Sequence, residues 1–84
     1  MYSVMNTLKF EEPTNYVTSL PSKVKKKYFE SSDYAEILIL VNGQIFVHKL
    51  STGVYFPCSS YNEAKGIRSI IVHRCSHIDF IMRG

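Results

Sequence analysis

Two β-rich runs joined by Asn42-Gly43, the stretch AEILILVNGQIFVHKL over residues 35–50, restrict this chain more than any other feature. Asn-Gly is the preferred centre of a two-residue hairpin turn because both central positions need positive φ, so the segment reads as a β-hairpin. Pairing Val41 with Gln44 sets Leu40 opposite Ile45, Leu38 opposite Val47 and Glu36 opposite Lys49 on one face. Ile39 then meets Phe46, and Ile37 meets His48, on the other. The first strand is apolar on both faces, which predicts an interior place in a sheet.

The neighbouring segments extend this core. Ser51-Thr52-Gly53 reads as a hairpin loop with Gly53 in the left-handed position, followed by a third strand over 54–57 that Pro57 ends. Leu20-Pro21 opens a predicted helix over 21–31, with Pro at its first position and Val24 and Tyr28 four apart on one face. Ser60-x-x-Glu63 fits a capping box for a second short helix over 59–66, with Gly66 at its end. The β-branched run after it suggests strands over 67–74 and 77–82, or one long bulged strand. Residues 1–12 nearly alternate at Tyr2, Val4, Asn6, Leu8 and Phe10, which favours a strand, and residues 16–20 read as one irregular or helical turn. The expected fold is α+β: a small antiparallel sheet with a central meander and two short helices in one domain, 1–84.

At 84 residues, a chain buries only about 60–65% of its unfolded surface, so the core is thin and a homodimer is expected. Cys58 and Cys75 are too few for a disulfide framework. The N-terminal residues lack a signal-peptide pattern and no apolar run approaches the roughly 18 residues that cross a bilayer, so a cytoplasmic protein with reduced thiols and no membrane partner is expected.

The net charge of +3 is concentrated. Lys23, Lys25, Lys26 and Lys27 stand beside Tyr28 and Phe29, and cations flanked by ring faces attract phosphate and stack bases. Arg68 and Arg74 form a possible second patch. The competing structural reading is a solvated helix face that keeps the protein soluble. A membrane-surface role fits poorly, since the predicted cationic helix is short and has little apolar face.

Two other constellations invite chemistry. His73, Cys75 and His77 alternate, and Cys58 offers a fourth thiol-type ligand for zinc, but an extended strand separates the two imidazoles by about 13 Å. His48 and His73, with Lys49 or Arg74, supply the residue types of a metal-independent ribonuclease. No glycine loop of phosphate-cradling type is present, and neither a cofactor nor a metal is expected.

In composition the chain resembles the small accessory proteins of T-even-type phages: very short, rich in Lys, Tyr, Ile, Ser and Asn, and ending in Met82-Arg83-Gly84. The resemblance implies an early protein of the host cytoplasm that binds and disables a host factor, defence ribonuclease toxins included, sometimes with RNA involved. It carries over no site residue. The reading that follows is a non-enzymatic RNA-binding protein contacting phosphate through Lys23, Lys25, Lys26, Lys27, Arg68 and Arg74, with Tyr28 beside them. The alternatives are a protein-only inhibitor acting through a sheet edge, and the small ribonuclease.

Overall fold

A computed structural model describes residues 12–31 and 33–83. Along them run β1 (Val24–Tyr28), β2 (Ala35–Leu40), β3 (Ile45–Lys49), β4 (Tyr55–Cys58) and one long helix, α1 (Tyr61–Arg83). The strands form an antiparallel meander in the order β1-β2-β3-β4. The fold is therefore α+β, with one helix rather than two among the described residues. The expected strand over residues 1–12 lies almost entirely outside them.

β2 is interior, as its two-sided apolar pattern requires, but the hairpin register differs from expectation by one residue. Ile39 pairs with Ile45, Leu38 with Phe46, Ile37 with Val47, Glu36 with His48 and Ala35 with Lys49. The cause is the turn. Gly43 alone takes a positive φ, +93°, while Asn42 does not, and the Leu40 carbonyl accepts the Gly43 N–H at 2.9 Å. Leu40 N–H donates to the Gln44 carbonyl at 2.9 Å, and the Gln44 N–H donates to Asn42 Oδ1 at 2.9 Å. This is a three-residue loop with a glycine bulge. One extra residue moves every facing pair, since side chains alternate with period two.

The segment expected as a helix over 21–31 contains β1 instead. Val24 and Tyr28 are four apart, a spacing that suits a helix face and also one side of a strand. A register shift between Val24 and Lys26 makes Lys25 the extra residue of a bulge against β2. The bulge sends Val24 to the Leu38–Leu40–Phe46 side of the sheet and Tyr28 to the helix side. Pairing along an interior strand outweighs the local preference of lysine.

α1 replaces both the short helix and the two strands expected after residue 66. Its start is the predicted Ser60–Glu63 cap with the return bond moved by one residue: the Glu63 N–H donates to Ser60 Oγ at 3.1 Å, and the Glu63 carboxylate accepts from the N–H of Ser59, at 2.9 Å, where a capping box would use that of Ser60. Gly66 does not stop the helix. Ala64, Ile67, Ile71 and Cys75 recur at three- and four-residue spacing and pack on Ala35, Ile37, Val47 and Phe56. Ile71 is fully buried, so its truncation to Ala is expected to cost about 2–5 kcal/mol.

A second cluster, Leu38, Leu40 and Phe46 with Leu20, Val24 and Tyr55, fills the opposite face. The outer edge of β4 is met by Val17, which exchanges backbone hydrogen bonds of 2.8 and 2.9 Å with Tyr55. Residues 16–20 are otherwise irregular. Pro57 stands inside β4 rather than ending it. Two residues beyond Tyr55, its missing N–H lies on the same outer edge, where an edge strand tolerates proline. Gly53 takes the left-handed conformation expected of it, φ +77°. No helix among the described residues is long and apolar enough to cross a membrane.

Candidate nucleic-acid interface

The lysine run occupies an edge strand. Among the described residues β1 pairs only with β2, and Lys23, Lys25, Lys26 and Lys27 are all exposed. Lys23 precedes the strand and accepts the Val41 N–H at its carbonyl, at 2.9 Å. Strand alternation then turns Lys26 to the helix side of the sheet and Lys27, opposite Leu38, to the other. Charged edge strands resist pairing with other chains, and this supplies a structural role for the run that a helix would not.

The helix side is where cations and rings meet. Lys26 Nζ lies 5.3 Å from the centre of the Tyr28 ring, and Tyr28 makes an edge contact with Tyr61 at 5.1 Å. Lys65, one turn after Tyr61, places its Nζ 5.6 Å from that ring. Beside them the Arg68 guanidinium lies 4.0 Å over Phe29 while its Nε donates to the Ala35 carbonyl at 3.0 Å. Three cations and three rings thus interleave along the seam between β1 and the first two turns of α1. Such contacts are individually worth about 0.5–1 kcal/mol at exposed positions.

Phe29 is the unusual member. It is 44% exposed and has φ +62°, a left-handed conformation that is rare for a bulky side chain. The guanidinium over its face and the turn into β2 hold it there.

Of the residues expected from sequence, Lys26, Tyr28 and Arg68 come together at this seam, and Lys23, Lys25 and Lys27 lie along the strand that forms its rim. Arg74 does not join them. Its Nε is 4.0 Å from Glu12 Oε2, and the same carboxylate holds Lys49 Nζ at 2.6 Å. Phe29, expected from sequence as a ring face beside the lysines, also lies at this seam, whereas Tyr61 and Lys65 are additions that the sequence reading does not contain. The signal for the latter two was available as a Tyr–Lys pair at i, i+4, which becomes meaningful only once residues 61–83 are read as one helix.

The histidines expected to cooperate are held apart. His48 Nδ1 is 2.9 Å from Glu36 Oε2 and its ring stacks on Tyr55 at 4.5 Å, on the sheet face away from α1. His73 is exposed on α1 itself, so the sheet separates the two. Cys58 and Cys75 are half-buried free thiols. Burial, with the Glu63 charge adding to it, pushes the Cys58 thiol up to about 11. No group of three or more metal-ligating side chains forms among the described residues. Compared with protein-family models, curated proteins and solved structures, the chain matches none.

Proposed function

We propose that this protein binds RNA non-enzymatically, through the seam between β1 and the start of α1. The observation that supports the reading is the convergence of Lys26, Lys65 and Arg68 with Tyr28, Phe29 and Tyr61 beside an exposed lysine edge. Phosphates engage the lysines, and unpaired bases find ring faces at the same place. Antagonism of a host factor in the host cytoplasm, by occupying or scaffolding it as a homodimer, belongs to the same proposal.

Salt dependence tests it. If Lys23, Lys25, Lys26 and Lys27 each contact one phosphate of a single strand, the log–log slope is about −2.8, and raising salt from about 50 to 200 mM weakens binding roughly fiftyfold. A Lys25→Glu, Lys26→Glu, Lys27→Glu triple variant should bind at least as weakly at low salt as the native chain does at high salt. A gel shift that ignores salt and these substitutions would remove the reading.

The side of β1 that pairs with no other strand among the described residues favours a second reading, an adaptor that adds an acidic partner strand to this edge. Here the lysines steer association, and ribonuclease treatment leaves the complex intact on size exclusion. Under the RNA reading the same treatment collapses a species rich in absorbance at 260 nm.

A further inference from the structure

We infer that His73 and His77 form a two-imidazole chelate for a borderline transition-metal dication, Cu2+, Ni2+ or Zn2+, on the outer surface of α1. The expected strand kept these residues too far apart to share an ion. In the helix they stand at i, i+4, neighbours on one face and about 6 Å apart along the axis. Their rings are parallel to within 1°, with centres 6.4 Å apart, and both side chains are exposed. A recess of about 230 Å³ lined by His73, Arg74, His77 and Ile78 leaves room beside them.

Ligand chemistry sets what the recess can take. A bound metal sits about 2.0–2.1 Å from each imidazole nitrogen, which brings the two donor atoms to about 3 Å from one another. From ring centres 6.4 Å apart the two imidazoles must tilt toward one another to share an ion, a movement that side-chain torsions of exposed residues supply. An imidazole ligates through one nitrogen and keeps the other for a hydrogen bond that fixes its tautomer, so each ring can retain its further contacts. Two neutral nitrogen donors suit Cu2+, Ni2+ and Zn2+ and offer little to Mg2+ or Ca2+, which prefer oxygen. Water fills the remaining positions. Arg74 lines the same recess and its charge opposes a dication, while the Glu12 carboxylate, 4.0 Å from its Nε, offsets part of that charge.

Untagged full-length protein titrated calorimetrically with NiCl2 tests the assignment, with MgCl2 as the hard-ion control. The expected result is saturable binding of one Ni2+ per chain and no response to Mg2+. His73→Asn and His77→Asn should each weaken binding by about tenfold or more. His48→Asn, Cys58→Ser and Cys75→Ser should leave it unchanged, which separates the helix pair from the other soft donors. Because a variant can lose structure, substoichiometric Cu2+ added to the native protein provides a second readout. Ring-proton resonances of His73 and His77 should broaden before those of His48. Absence of saturable Ni2+ binding up to millimolar concentration, binding that survives both helix substitutions, or broadening centred on His48 would overturn the inference.

Discussion

The Arg68 guanidinium covers the ring of Phe29 at 4.0 Å and, through Nε, ties α1 to the Ala35 carbonyl at the start of β2. One side chain therefore joins the helix to both ends of the β1–β2 connection. Arg68→Ala should destabilise the fold by about 1–3 kcal/mol in urea unfolding, from the lost charged hydrogen bond and ring contact. Arg68→Lys should recover less than half of that, because an ammonium cannot donate from a planar group while stacking.

Glu36 is only 8% exposed, and His48 is its one described partner, at 2.9 Å. Removing the imidazole leaves a buried carboxylate without its contact and uncovers Tyr55. His48→Ala is expected to lower stability by about 1–3 kcal/mol, with ribonuclease activity absent from native and variant alike. Cleavage by the native chain that the substitution abolishes would show a catalytic His48.

Cys58 makes stability fall in alkali. Its thiol is held protonated up to about 11 in the folded chain, against an ordinary value of 9.0, so the native state binds more protons than the unfolded one between these values. Stability then decreases as pH rises from about 9 to 11, by no more than roughly 1.4 kcal/mol per pH unit. Cys58→Ser should flatten this part of the profile relative to the native chain. At pH 8 Cys58 should also react with iodoacetamide more slowly than an unstructured cysteine peptide.

Two substitutions in the first turns of α1 should act in opposite directions. Ser60→Ala removes the oxygen that accepts the Glu63 N–H and should cost about 1 kcal/mol. Gly66 is helical, exposed, and has open space where a Cβ would stand. Gly66→Ala should therefore stabilise by about 0.5–1 kcal/mol. Thermal unfolding followed by circular dichroism measures both.

Lys25 and Lys27 guard an edge that is paired on one side only among the described residues. Lys25→Thr with Lys27→Val raises strand propensity and removes the charge that deters edge-to-edge pairing. Light scattering at rising concentration should show the variant associating beyond the native chain's own oligomeric state. Equal behaviour of the two chains would assign the lysines to binding alone.

These features differ in how far they could be read from sequence. The hairpin, the interior place of β2, the left-handed Gly53 and the Ser60–Glu63 cap follow from local chemistry that nothing in the tertiary structure opposes. The register does not, because Asn-Gly serves both a two-residue turn and the last two positions of a bulged three-residue loop. β1 was hidden by a four-residue apolar spacing common to helix and strand, and α1 by β-branched residues. Ile67, Ile70, Ile71 and Val72 suggest strand by type and helix by position. Reading 67–82 as extended also concealed the seam with β1, since Lys65 and Arg68 reach Tyr61 and Phe29 only from a helix begun at residue 61.

α1 has 23 residues and so extends about 34 Å, longer than any strand it crosses and longer than the roughly 14 Å width of four strands. Its buried stripe runs on past Cys75 into Ile78 and Ile81, which are 56% and 59% exposed. Among the described residues the helix is accordingly a beam held more firmly at one end: the portion up to Cys75 opens only when the sheet does, whereas the last turns, entered at Ile78 beside Tyr34, Lys49 and Leu50, can fray before it. Amide protons should exchange progressively faster from Ile78 onward, and what happens at the tip reaches the sheet only as bending of the helix.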